Sequence, residues 1–203
     1  IRDRHSAQTR VVVGIRTIPR ADRLYLRLKL ANQLLGGSAS SRLFLNLRED
    51  KGYTYGAYSV LRGFRRSGLL TASADVNTDA TGPAIEEILR EVEHLSTRPL
   101  EEEEIRKSRA ELAGSFIRRT ETPASVGSLE INRRLLDLEE DFCQTYIPRL
   151  QEISPQQVRE VAEQLLAAHR MSIVAVSDRE AVENDLRAFG DLKIYDSGGK
   201  RLE

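Results

Sequence analysis

The segment covering residues 36–60, GGSASSRLFLNLREDKGYTYGAYSV, constrains the fold more than any other part of the chain. Its paired glycines end one helix, and the serines that follow can cap a second helix over residues 42–49. Asp-Lys-Gly at 50–52 is typical of a turn. The aromatic and β-prone residues 53–60, bounded by glycine, then predict a strand. A helix, a turn and a strand therefore follow one another directly.

Arg48 and Tyr55 lie seven residues apart across that turn, so the two side chains can point to one place. Two interpretations stay open from the residues alone. In the first, Arg48 matches the negative end of the helix dipole, and Tyr55 is one of three strand tyrosines that fill a half-buried face. Tyr53 shares that face by period-two alternation. In the second, Arg48 and Tyr55 form a functional pair.

The order of the remaining elements is typical of the α+β class. Strands are predicted at residues 8–16, 53–60, 69–76, 171–176 and 192–195, and the second and third form a hairpin. Helices are predicted at 22–35, 42–49, 83–95, 101–120, from Thr122 onward, and at 141–150, 154–168 and 180–189. These elements predict a mostly antiparallel sheet with helices packed on one face.

The chain has no glycine- or serine-rich linker that would divide it into separate units. We therefore predict one domain over residues 1–196, followed by a loose C-terminal tail at 197–203. A chain of 203 residues can bury roughly 70% of its unfolded surface. It starts with Ile1 rather than Met, which favours an excised or processed piece.

Composition excludes several classes of function. The 31 basic and 31 acidic residues cancel, so no general basic field exists to attract nucleic acid. No apolar run approaches the length of a membrane span. Cys143 is the single cysteine, so an intrachain disulfide is impossible, and oxidising and reducing compartments are both compatible. The localisation stays open between cytoplasm and periplasm.

The stretch LGGSASSRLFLNLREDKGYTYGAYS resembles the corresponding segment of the insulinase or pitrilysin (inverzincin) family of zinc metallopeptidases. That family includes mitochondrial processing peptidase and bacterial processing-peptidase-like proteases. Its members have two similar halves that close like a clam: one half carries the zinc motif His-x-x-Glu-His, and the other an Arg and a Tyr seven residues apart. Arg48 and Tyr55 match the second pair. The resemblance covers nearly the whole chain, which is identified as the zinc-free, C-terminal or non-catalytic half.

The histidines agree with that assignment. The zinc motif needs two histidines four residues apart, whereas this chain has only His5, His94 and His169. We therefore expect the chain to bind no metal and no other cofactor, and to be inactive alone. The resemblance implies that zinc is held by a homologous partner half, in the same polypeptide or in a separate subunit.

The resemblance also implies roles for the two matched residues in peptide hydrolysis. Tyr55 would donate a hydrogen bond to the developing oxyanion, and Arg48 would fix the substrate backbone or orient Tyr55. The implied function is the substrate-binding and oxyanion-stabilising half of a zinc metalloendopeptidase that hydrolyses peptides in a closed chamber. Its partners would be the zinc-bearing half and a peptide substrate, with a homo-oligomer as a further option. The family also includes core scaffold proteins of a respiratory complex, so a non-catalytic structural subunit is the alternative.

Overall fold

The computed structural model describes residues 7–202, which form an α+β fold around a four-stranded sheet. The strands are β1 (Gln8–Thr17), β2 (Thr54–Gly63), β3 (Gly68–Asn77) and β4 (Ser172–Val176). They lie in the order β2-β3-β1-β4, and each neighbouring pair is antiparallel. The predicted fold class and the β2–β3 hairpin are confirmed.

Helices occupy most of the remaining described chain. They are α1 (Tyr25–Gly36), α2 (Arg42–Phe44), α3 (Thr81–Thr97), α4 (Glu102–Arg118), α5 (Pro123–Leu135), α6 (Phe142–Gln151), α7 (Pro155–Leu165) and α8 (Arg179–Arg187). Helix α2 continues into a π-helical segment, Leu45–Asp50. Over the described residues, we find no helix with the length and apolar character needed to cross a membrane.

One face of the sheet is buried because apolar residues occupy alternate positions of its strands. In β1, Val11, Val13 and Ile15 face the helices and are buried. Val11 lies between Ala74 of β3 and Ala175 of β4. The same rows continue through the neighbouring strands, so the core is a continuous layer between this face and the helices.

The other face of the sheet is partly exposed. One row across it runs from Val174 through Val12 and Ser73 to Tyr58. Val174 is 56% exposed and Tyr58 is 44% exposed. Since isolated exposed apolar side chains are common but rows of them are not, this uncovered face is a candidate contact surface.

The end of helix α1 lies directly on strand β2. A Cβ atom at Gly36 would be 2.3 Å from the backbone nitrogen of Ser59, so only glycine fits this approach. The Ser59 hydroxyl donates a hydrogen bond to the carbonyl oxygen of Asn32, at 3.1 Å. These contacts fix the point on the sheet from which the chain enters the next segment.

Several local predictions are confirmed and others are wrong. The helices predicted at 154–168 and from Thr122 onward are present: Ser154 and Gln157 form a capping box at the start of α7, and Thr122 caps α5. Helix α1 begins at Tyr25 rather than at Asp22, because the Asp22 carboxylate accepts a hydrogen bond from the backbone of Leu24 and holds a turn there.

The predicted last strand at residues 192–195 is also wrong. The Asp196 carboxylate accepts hydrogen bonds from the backbone nitrogens of Gly198 and Lys200, which turns the chain back on itself. Tyr195 consequently pairs with Arg201 in a single bridge instead of extending along β4. The extent of the domain, 1–196, and the looseness of its tail stay predictions.

The contact between α1 and β2 can be tested with Gly36→Ala. The added methyl group would overlap the backbone of Ser59, and we expect the free energy of unfolding in urea to fall by about 1–3 kcal/mol. Gly127→Ala is the matched control, because a Cβ atom in this exposed part of α5 meets nothing within 4 Å. That variant should be stabilised by up to about 1 kcal/mol. Equal stability of the two variants would contradict the proposed role of Gly36.

Candidate functional site

The segment from the end of α1 to the start of β2 carries Arg48, and buried leucines anchor it. Leu43 and Leu47 are fully buried in the core beneath the sheet. Leu45 lies between them in sequence and is half exposed. Because Leu43 and Leu47 are four residues apart, they lie on one side of the helical segment. That side faces the core, and the side that carries Leu45 lies at the surface.

The partly buried carboxylate of Glu111, on α4, also holds this segment. It accepts hydrogen bonds from Nε2 of Gln33 at 2.8 Å and from the hydroxyl of Ser40 at 2.9 Å. Burial opposes the charged form of Glu111, but the hydrogen bonds from Gln33, Ser40 and Ser38 outweigh it and lower the pKa of the carboxyl. The serines at 38 and 40 thus bind α4. The helix-capping role considered for them is not observed, and Ser41 at the start of α2 makes no side-chain capping bond.

Two further polar contacts join the segment to α3 and α4. Arg42 forms a bidentate salt bridge with Glu104, with N···O distances of 2.6 and 2.7 Å. The side-chain amide of Asn46 donates to Glu87 at 3.0 Å and to Glu91 at 2.7 Å. Arg42 and Asn46 both precede Arg48, so these contacts restrict the orientation of the residues that follow.

Arg48 lies in the π-helical segment; the predicted helix over 42–49 is confirmed, and after Phe44 its turns are π-helical rather than α-helical. The wider turn is closed by a hydrogen bond from the backbone nitrogen of Lys51 to the carbonyl of Asn46 at 2.9 Å. The Arg48 guanidinium lies over the ring of Phe44, 4.7 Å from its centroid, and its Nε is 3.4 Å from the Glu49 carboxylate. The side chain is 46% exposed.

The predicted turn follows, with Gly52 at a φ of 65°, a conformation that favours glycine. Strand β2 then begins with a β-bulge: Thr54 pairs with Val76, but Ala57 pairs with Ala74. An advance of three residues on β2 thus matches two residues on β3. The extra residue breaks the alternation of side chains between the two faces of the sheet.

The bulge determines the position of Tyr55. The Thr54 hydroxyl stabilises it by donating to the carbonyl of Asp75 at 2.6 Å and accepting from the backbone nitrogen of Gly56 at 3.2 Å. Tyr55 is 88% exposed, whereas Tyr53 packs against the core. The prediction that Tyr53 shares the face of Tyr55 is therefore wrong, because simple alternation does not continue through this bulge.

A series of ring contacts runs from Arg48 to Gly56, the residue next to Tyr55. The Phe44 ring contacts Arg48 and lies 5.6 Å from the ring of Tyr58. The Tyr58 ring in turn covers Gly56, where an added Cβ would be 2.8 Å from it. Gly56 is the neighbour of Tyr55, although no hydrogen bond joins Arg48 to Tyr55 within residues 7–202.

Sequence reasoning did not identify Phe44 and Tyr58 as part of this site. The signal that was available is the spacing of Phe44 four residues before Arg48, which places the two side chains on one side of a helix. Nothing in the sequence alone indicates that Tyr58, rather than Tyr53, continues the contact.

The residues that the structure describes do not fit a zinc ion. His94 lies on α3 and His169 in a separate 3₁₀ turn, and burial together with Arg98 lowers the pKa of His94. Across residues 7–202, no group of three histidine, cysteine or carboxylate side chains could hold a metal. His5 lies outside the described residues, so the expectation that the whole chain binds no zinc stays a prediction.

Comparison with known proteins decides the family. Residues 1–112 match the peptidase M16 inactive domain. The chain belongs to the peptidase M16 inactive-domain family. This assignment confirms the resemblance to the zinc-free half of an insulinase-type peptidase.

Relatives of this M16 inactive domain include zinc proteases. The chain is 26% identical to an uncharacterized zinc protease of Streptomyces coelicolor over 180 residues, which are 88% of this chain and 39% of that protein. It is similar to the M16 inactive domain from Pseudomonas fluorescens, with a TM-score of 0.77, 25% identity, and coverage of 84% of this chain and 41% of the other.

A third comparison shows the fold alone. A chain in the complex III2 structure from Candida albicans has a TM-score of 0.77 at 15% identity, covering 93% of this chain and 48% of the other. The M16 inactive domain described here spans about two fifths of the length of the curated relatives that match most of it.

The carboxylate that holds the segment can be tested with Glu111→Gln. We expect the free energy of unfolding at pH 7 to fall by about 1 kcal/mol, because charged hydrogen bonds to Gln33 and Ser40 are weakened. The folded-state pKa of Glu111 is lowered, so this contribution is present above the unfolded pKa and is lost as the pH falls through the folded one. In urea unfolding between pH 7 and pH 2, the difference in free energy of unfolding between Glu111→Gln and wild type should therefore shrink as the pH falls. The control Glu86→Gln, at an exposed position of α3, should unfold with the wild-type free energy throughout.

The metal prediction is tested by elemental analysis of the purified chain. After equilibration with zinc and gel filtration, we expect well below one zinc per chain, because the described residues contain no cluster of ligands. One tightly bound zinc per chain would contradict this expectation.

Proposed function

We propose that this chain is the substrate-binding and oxyanion-stabilising half of a zinc metalloendopeptidase. Arg48 and Tyr55 would act on a peptide whose scissile bond is presented by a His-x-x-Glu-His half. The single observation that carries this proposal is the exposed Tyr55 held in a β-bulge, with Arg48 connected to the same strand through Phe44 and Tyr58.

The position of Tyr55 suits a hydrogen-bond donor. Its side chain is almost fully exposed on a backbone that the sheet and the Thr54 hydroxyl hold in place. A phenol can donate to a peptide carbonyl oxygen as negative charge develops on it, and a fixed donor is worth more than a mobile one. If Tyr55 served the core, it would be buried as Tyr53 partly is.

Arg48 would bind the substrate backbone or orient Tyr55. Its guanidinium is half exposed, and contact with the Phe44 ring restricts its position. A cation held over an aromatic ring keeps its N–H donors available at the edge of the guanidinium plane. These donors match peptide carbonyl oxygens, which would let Arg48 hold an extended substrate.

The uncovered face of the sheet supports the idea of a closed chamber. Tyr58 and Val174 are exposed on the same row, so a partner facing this side would enclose a space with a partly apolar wall. The chain spans about two fifths of its curated relatives, which leaves ample length for a second half. The ligands for zinc and the general base would belong to that half.

The second candidate function is a non-catalytic structural subunit. It is favoured by the likeness of 93% of the chain to a chain of a complex III2 structure, at a TM-score of 0.77. A scaffold has no requirement for both an exposed tyrosine and a restrained arginine at these positions, so the enzyme half is our preferred proposal.

The proposal is tested by Tyr55→Phe in the assembled two-half protein with a fluorogenic peptide. We expect kcat to fall by about 10²–10³, because the donor to the oxyanion is lost. The zinc content should be unchanged, since Tyr55 is not a ligand. Tyr53→Phe is the matched control and should retain the wild-type rate, as its ring packs against the core.

Two results would argue against the enzyme half. A Tyr55→Phe protein with wild-type kcat would exclude Tyr55 as the donor. A stable two-half complex that cleaves no peptide from a varied library would favour the structural subunit instead.

A further inference from the structure

A cavity beside α1 and α4 concentrates positive charge. Arg20, Lys29 and Arg119 line one cavity of about 760 Å³. Arg20 precedes α1, Lys29 lies within it, and Arg119 directly follows α4. The three positive charges are close enough to affect one another: Arg20 and Arg119 both disfavour the charged form of Lys29.

These cations have no acidic partner among residues 7–202. No carboxylate oxygen of the described chain lies within 4.0 Å of a charged nitrogen of Arg20, Lys29 or Arg119. The carboxylate that also lines the cavity, Glu111, already accepts hydrogen bonds from Gln33 and Ser40.

Such an arrangement is unfavourable in the absence of an anion. Burial lowers the pKa of Lys29 and that of Arg20, and in each case Arg119 adds to the effect. A partly buried cation normally has a counter-ion or is neutralised, since desolvation of its charge is costly. The negative C-terminal end of the α4 dipole can stabilise the charge of Arg119, but Arg20 and Lys29 have no such compensation.

The same cavity has an aromatic wall. The Arg20 guanidinium lies between the rings of Tyr25 and Phe142, at 4.4 and 4.9 Å from their centroids. Phe116 and Tyr146 stack beside them with centroids 4.2 Å apart. An aromatic surface in a cavity that cations also line can accommodate a ring or another apolar group attached to an anion.

We propose that this cavity binds a small phosphorylated molecule, with the phosphoryl group at Arg20, Lys29 and Arg119 and its organic part against the aromatic wall. A phosphate monoester carries nearly two negative charges and three acceptor oxygens, which match three cations lining one cavity better than a single carboxylate does. Arginine and lysine side chains are the common phosphate-binding residues of proteins.

The test is calorimetric titration of the full chain with phenyl phosphate, with inorganic phosphate and benzenesulfonate as comparisons at equal ionic strength. We expect saturable one-to-one binding of phenyl phosphate, with weaker binding of inorganic phosphate and of the singly charged sulfonate. Lys29→Met should weaken phenyl phosphate binding at least tenfold. Lys200→Met, which removes the same charge from an exposed turn, should leave the Kd unchanged.

Thermal unfolding separates a lost site from a misfolded protein. Without ligand, Lys29→Met should unfold at the wild-type Tm or above it, because an unpaired, partly buried charge is removed. Phenyl phosphate should raise the Tm of wild type and of Lys200→Met but not that of Lys29→Met. Absence of saturable binding, equal binding of benzenesulfonate, or equal weakening by Lys200→Met would each overturn the proposal.

Discussion

The close approach of helix α1 to strand β2 at Gly36 and Ser59 is the contact on which the arrangement of the site depends. A side chain at Gly36 would overlap the strand backbone, so the distance between helix and sheet is fixed by the absence of one Cβ. The chain leaves this point to form the segment that carries Arg48. It then returns as β2, which carries Tyr55 and which meets α1 again at Ser59, so one contact joins the two ends of this part of the chain.

From this point, burial and polar contacts restrict the segment in different ways. Leu43 and Leu47 determine which side faces the core, while Arg42 and Asn46 bind carboxylates on α3 and α4. The surface side is left with Arg48 on the Phe44 ring. Helices cover one face of the sheet, and the bulge in β2 directs Tyr55 away from them. The structure thus combines a rigid base with exposed polar groups, as a binding surface requires.

The sequence predicted the order of the elements well because their signals are local. Alternation in β1, the capping box at Ser154 and the turn at Gly52 each depend on a few neighbouring residues. Two features could not be predicted this way, because the π-helical segment and the bulge beside Tyr55 depend on contacts with other elements. The pairing of Phe44 with Tyr58 likewise needs the fold to bring helix and strand together. The wrong strand prediction at 192–195 is different, since the turn at Asp196 that prevents it is itself local.

The central claim is that this chain completes an active site which a zinc-bearing half cannot form alone. The most direct measurement is the rate of peptide cleavage by a zinc-loaded His-x-x-Glu-His half as increasing amounts of this chain are added. We expect negligible cleavage by either half alone and a rate that rises and saturates at one chain per zinc half. Full activity of the zinc half alone, unchanged by addition of this chain, would contradict it.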